Sequence, residues 1–372
     1  MGRAGRLLGL ADTLETHRGF AEVVASLRAG HGGTIGGTWG SSSALAAAAL
    51  VRGWDAGTNR LLVVVLPHAA DAEPFADDLS LFTAARAIVL PPLESFGDEH
   101  PADDPAAAAR LAIVKRLTSA DENPDDRPRI IVTSIQALLT PLDDPREIEA
   151  STRRLEVGGR LDPAELADWL AARGWQAAGA VDSPGTFSRL GGIVDLFATD
   201  WERPVRVELF GDEIESLRSF DTVSQRSVDE ITGIDLTALA RGCDGGQAGR
   251  STHLADIVPA GSWWALQEPG ELAEEARRTH QRLGGLAAAS DPDEVFARIY
   301  RFPSVTLSAI APSSLESSAT LSIESVERFT GVLDRVRDEL ETVGRDQEVW
   351  VVAPTDAEEK RLRELLEGSA PA

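Results

Sequence analysis

Apolar and polar positions along the chain follow a helix-and-strand rhythm that changes near residue 143. Up to that point amphipathic helices alternate with short continuous apolar runs. "ETHRGFAEVVASLRAG" (residues 15–30) repeats its apolar positions at helical spacing. "NRLLVVVLP" is an unbroken β-branched run, the pattern of a strand buried on both faces of a parallel sheet. "DAEPFADDLSLF" predicts a helix, "AIVLPP" a short strand, and "DPAAAARLAIVKRLTS" a helix opened by Asp104 and Pro105. "RPRIIVTSIQALL" predicts another buried strand running into a turn. Strand and helix alternating at this spacing predict an open α/β sheet.

Beyond residue 143 the alternation becomes strand-to-strand. "LDPAELADWLAARGW" is a helix with Asp162 before Pro163 and Gly174 closing it. In "VRVELFGDEIESL", Val205, Val207 and Leu209 alternate with Arg206, Glu208 and Phe210. Gly211-Asp212 between the two runs predicts a two-residue hairpin turn. A small antiparallel α+β unit is expected here. The glycine-rich break "ARGCDGGQAGRS" follows it, and "ADIVPAGSWWALQEPGELAEEARRTHQRL" then returns to strand and helix. Trp263 and Trp264 read as core or edge strand.

Composition narrows the function classes. The chain has 372 residues, 36 basic against 60 acidic, for a net charge of −24. Only Lys115 and Lys360 are lysines, and no run of basic residues is dense enough to grip a phosphate backbone. A protein partner is the better expectation than direct DNA contact. The apolar runs are far shorter than a bilayer requires, and the N-terminus lacks the apolar core of a secretion signal. The chain begins Met-Gly, but Arg6 stands where myristoylation needs Ser or Thr. One cysteine, Cys243, leaves no intramolecular disulfide and suits a cytoplasmic protein. The six histidines are scattered without metal-ligand spacing, and "ESFGDEHPADD" with His100 reads as a solvated loop. No catalytic constellation, metal set or cofactor motif emerges.

The run from Gly185 to Ser227 is the most specific stretch. "GGIVDLF", then "VRVELFGDEIESLRSFD", then "SQRS" resemble, in order and spacing, the UvrA-interaction domain shared by the excision-repair protein UvrB and the bacterial transcription-repair coupling factor. "PPLESF", "IIVTSIQALL" and "LADIVP" agree on either side. The resemblance implies a degenerate RecA-like, phosphate-loop-type sheet domain at residues 1–142 and 237–325. It places the α+β UvrA-interaction domain at 143–236 and a partial, apparently truncated third α/β domain at 326–372.

The same resemblance points to a phosphate loop in "GGTWGSSSALAAAAL". Such loops read GxxxxGK[ST], with backbone N–H groups around the phosphates, a lysine on the β/γ-phosphates and a hydroxyl on Mg²⁺. Gly37 takes the first glycine, Gly40 lies within the loop, Ser42 takes the second glycine, Ser43 the lysine and Ala44 the hydroxyl residue. The family's acidic Asp-Glu pair falls on Gln267 and Glu268, so the metal-binding carboxylate is missing too. Loss at both partner positions implies an inactive site with no nucleotide cofactor. It also favours the coupling factor over UvrB, an ATP-dependent excision-nuclease subunit.

By resemblance the chain is expected to act as an adaptor that binds UvrA through Arg189, Phe197, Arg206 and Arg218. RNA polymerase and DNA would be engaged only by family domains outside this chain, and no membrane is involved. The family carries its arginine immediately before the first glycine, whereas Arg189 sits one place early, with Leu190 between. Side chains alternate across a strand, so that shift predicts Arg189 on the opposite face unless a bulge restores it. Two other readings stay open: a UvrB-type subunit, and a free-standing interaction paralogue.

Overall fold

The structure is a computed structural model that describes residues 7–52, 54, 59–93, 104–119, 127–239, 251–284, 289–310 and 317–323, with 357, 360–361 and 363–364. The predicted loop with His100, the glycine-rich break with Cys243 and nearly all of the predicted third domain lie outside the described residues. The chain divides into a unit of residues 1–322 and a second of residues 323–372. Every strand among the described residues belongs to the first unit.

In chain order these strands are β1 (Gly33–Gly36), β2 (Leu62–Leu66), β3 (Ala87–Leu90), β4 (Ile130–Ser134), β5 (Leu142–Asp143), β6 (Thr152–Glu156), β7 (Gln176–Ala177), β8 (Thr186–Leu190) and β9 (Ile193–Phe197). They continue as β10 (Val205–Phe210), β11 (Glu213–Phe220), β12 (Ser227–Ile231), β13 (Gly233–Thr237), β14 (Ser251–Thr252), β15 (Trp263–Gln267), β16 (Ser304–Ser308) and β17 (Ser317–Thr320). The protein is α/β, and its described residues include a parallel sheet of seven strands and a mixed sheet of six.

The parallel sheet runs β17-β1-β16-β15-β2-β4-β3, and every pairing in it is parallel. Its central strands are buried end to end, as the run "LVVVL" of β2 requires when helices cover both faces. On one face Val63, Val65, Ile131, Trp264 and Leu266 pack with Leu111, Val114, Leu272, Ala276, Val295 and Ile299 from the helices Pro105–Thr118, Pro269–Leu283 and Pro292–Ile299. Trp263 and Trp264 are therefore core residues of a central strand, not of an edge. The first of these helices starts at Asp104, whose carboxylate accepts from Ala106 N, with Pro105 in the first turn as predicted.

The mixed sheet runs β12-β11-β10-β9-β8-β7, antiparallel except for the β7–β8 pair. One face buries Phe187, Val194, Leu196, Val205, Val207, Ile214 and Leu217 against Leu166 and Leu170 of the helix Pro163–Ala171. Asp162 caps that helix by accepting from Ala164 N and Glu165 N. Gly211 turns β10 into β11 at φ +68°, the left-handed conformation expected of the predicted hairpin. Two short ladders, β5–β14 and β6–β13, lay the entering and leaving chain side by side. Lys115 and Asp200 join the two sheet regions through a 2.6 Å ion pair.

Candidate functional site

Two places were singled out by sequence: the loop after β1 with the end of β15, and the strands β8 to β11. In the first, β1 gives way at Gly36 to the loop Gly37–Gly40 and the helix Ser41–Val51. The end of β15 reaches the same carboxyl-terminal edge, with β16 between the two strands. Ligands of open α/β sheets bind along such an edge.

Four amides of the loop and helix start are already engaged. Thr38 N donates to Ser308 O at 3.1 Å, and Trp39 N donates to the Ser42 hydroxyl at 2.8 Å. Ser42 N bonds back to Trp39 O, and Ser43 N to Gly40 O. Ser42, at the second glycine position, thus supplies from within the loop an acceptor of the kind that an anion brings from outside. Ser43, at the lysine position, is fully buried, and Ala44 beside it is buried as well. Gly37 (φ +74°) lies so close to Leu321 that a Cβ there would stand 2.0 Å from its carbonyl oxygen. Leu321 N in turn donates to Gly36 O.

The position matched to the acidic pair is likewise engaged within the fold. Glu268 has φ +45°, a left-handed conformation uncommon outside glycine, and its Oε1 accepts from Ala309 N at 2.7 Å. Its own N donates to Leu307 O. The end of β16 therefore holds both the loop, at Ser308, and the acidic residue, at Ala309. Gln267 ends the parallel ladder opposite Leu307. Among the described residues no group of three or more His, Cys, Asp or Glu could hold a metal ion.

In the mixed sheet, register assigns each residue to a face. Arg189 opposes Val194, and that row continues through Val207 to Leu217, all on the packed face. Arg189 is exposed at its rim. The next row is Ser188, Asp195, Arg206, Arg218 and Glu230 on the opposite, open face. Arg206 and Arg218 are thus neighbours, with Arg189 behind them, as the one-residue shift predicted. Arg206 donates to both oxygens of Asp195 at 2.8 Å, a fork that raises its pKa above the ordinary arginine value. Its guanidinium also lies over the Phe220 ring, 4.9 Å from the centroid. Arg218 pairs with Glu230 at 3.2 Å.

Phe197 shares the open face by alternation but lies beneath a cover, 8% exposed and packed with Val181 and Phe220. The aromatic presented to solvent is Phe210, 79% exposed. Leu190, equally exposed, pairs with Ile193 on the same face, and Leu209 N donates to Gly192 O at 2.7 Å. That bond draws the β8–β9 turn against β10 and gathers Leu190, Ile193 and Phe210 at one end of the sheet. Exposed apolar groups clustered this way mark interaction surfaces. Sequence reasoning missed Phe210 and Leu190, although alternation with Arg206 and Glu208 already put Phe210 on the polar face.

Comparison with known proteins bears on this sheet. Residues 154–240 match the family model described as the UvrB interaction domain. Over about half its length the chain is similar to proteins named transcription-repair-coupling factor. It is 31% identical to that of Bacillus subtilis over 181 residues, which is 48% of this chain and 15% of the relative. It is 35% identical to that of Myxococcus xanthus over 222 residues, 59% of this chain and 18% of the relative. The Mycobacterium tuberculosis protein is 32% identical over 182 residues, 48% of this chain and 15% of its own length. The aligned region is therefore a small part of each relative. Among the described residues no helix is long and apolar enough to cross a membrane.

Proposed function

We propose that this chain is a non-catalytic adaptor of transcription-coupled nucleotide excision repair, recruiting UvrA to stalled RNA polymerase. The observation that carries the reading is the coincidence of the UvrB-interaction match with a sheet whose open face presents Phe210, Leu190 and Ile193 beside Arg206 and Arg218. Apolar anchors flanked by arginines are the composition of a protein-binding hot spot. On this reading Arg206 and Arg218 contribute charge, Phe210 and Leu190 contribute buried area, and Phe197 supports the face from beneath. Arg189, on the other face, contributes least.

The parallel sheet is proposed to be a degenerate RecA-like domain made of residues 1–142 and 237–325. Residues 143–236 are inserted into it. Self-satisfied loop amides and the buried Ser43 support a scaffold role rather than ATP hydrolysis. RNA polymerase and DNA are assigned to other domains of the family, and the setting is cytoplasmic. The test is binding to UvrA from the same source in an interferometric assay. Saturable binding in the micromolar range or tighter supports the adaptor. A folded chain that shows none overturns it.

A further inference from the structure

A second cluster lies on the inserted unit and plays no part in the adaptor reading. Trp169, on the helix Pro163–Ala171, is approached by two guanidiniums: Arg153 from β6 and Arg173 just beyond the helix end. Each Cζ stands 4.5 Å from the ring centroid. Stacking on an aromatic ring uses the face of a guanidinium and leaves its edge N–H donors for an acceptor in the plane. Few acceptors are supplied. Arg153 pairs with Glu165 at 3.1 Å, a carboxylate that is mostly in solvent. Arg173 Nη1 reaches Trp169 O at 3.3 Å, while its buried Nε meets no acceptor. Among the described residues Arg173 has no carboxylate within ion-pair distance. Burial and, after it, the charge of Arg153 lower the pKa of Arg173, as expected for a cation that shares a ring with a second cation and has no carboxylate of its own.

We infer that Arg153, Trp169 and Arg173 form a carboxylate-binding site for an acidic segment of a protein partner. The Nη donors left open would take the carboxylates, and the ring would hold both cations at fixed spacing. A phosphate backbone needs a run of cationic residues, and this chain has none, whereas a short acidic segment needs only one local cationic spot. The site stands independently of UvrA binding by the open sheet face.

The test uses the whole chain and a fluorescein-labelled octaglutamate peptide, read by anisotropy in about 50 mM salt, where exposed charges are weakly screened. The comparison is Arg153→Gln/Arg173→Gln, which removes charge and keeps most of each stem. Saturable binding by the wild type, weakened at least about tenfold in the double variant, is the expected result. On the wild type, octaglutamate should also protect Arg153 and Arg173 from phenylglyoxal, a measurement that does not depend on how the variant folds. No saturable binding, or no protection of these two arginines, overturns the site. So does a preference for an octathymidylate strand over the peptide, since the partner would then be nucleic acid.

Discussion

Arg206 and Asp195 meet across neighbouring strands in a two-pronged fork, Nε and Nη2 each 2.8 Å from a carboxylate oxygen. The pair is only partly exposed and sits in the middle of the open sheet face. It fixes the arginine that the adaptor reading relies on. Asp195→Asn keeps the shape and removes the charge. Leaving a half-buried arginine without its counter-ion should cost about 1–3 kcal/mol, below the cost for a fully buried pair because water screens part of it. Urea unfolding would measure the loss, and an unchanged midpoint would mean that the fork contributes nothing.

Gly37 and Gly40 both have positive φ, but only Gly37 faces an obstacle. Gly40→Ala meets nothing within 4 Å and should cost about 1 kcal/mol of backbone strain. Gly37→Ala would drive a methyl into Leu321 O and should cost distinctly more, about 3 kcal/mol, through displacement of the β17 end. Equal effects in thermal unfolding would contradict the close packing of Leu321 over the loop.

Mg-ATP should give no saturable heat in calorimetry with this chain. Ser43→Lys should not create binding either, because residue 43 is buried and the amides of Thr38, Trp39, Ser42 and Ser43 already have acceptors. Micromolar ATP binding by the Ser43→Lys chain would mean that the loop opens more readily than its bonds imply.

His253 caps the helix Leu254–Ile257 by accepting at Nδ1 from Ala255 N, and its Nε2 faces Leu138 O at 3.1 Å. With Nδ1 an acceptor, Nε2 carries the proton and donates. Burial, reinforced by Arg298, lowers the pKa from 6.5 to about 4. The folded state therefore keeps the ring neutral while the unfolded chain protonates it. Stability from this residue is fully present above pH 6.5 and is lost as pH falls toward 4, at up to about 1.4 kcal/mol per pH unit. His253→Asn retains a capping side chain and should flatten this slope in urea titrations between pH 7 and 4.5. An unchanged slope would place the titrating group elsewhere.

Local signals in the sequence carried much of the architecture. β-branched runs specified β2 and β4, Asp104 and Asp162 marked helix starts, and Gly211-Asp212 marked the hairpin. Alternation put Arg189 on the face opposite to the position before the first glycine, and the strand register then set it opposite Arg206. What depended on distant partners was not legible. Phe197 and Phe210 both end alternating runs, but Phe197 is buried by Val181 and Phe220, which reach it from other segments. The absence of a lysine from the loop after β1 was visible, yet the loop's closure relies on Ser308 and Leu321, far along the chain. Trp263 and Trp264 left core and edge undecided because burial on both sheet faces is set by helices elsewhere in the sequence.

The decisive experiment compares UvrA binding by the wild type with Phe210→Ala, Leu190→Ala, Arg206→Ala and Arg189→Ala, each checked for folding. If the open face is the docking surface, the first three weaken binding at least about tenfold, as anchors in a hot spot do, while Arg189→Ala stays within about twofold. Binding abolished by Arg189→Ala and untouched by Phe210→Ala and Leu190→Ala would overturn that assignment, since the partner would then grip the other face of the sheet.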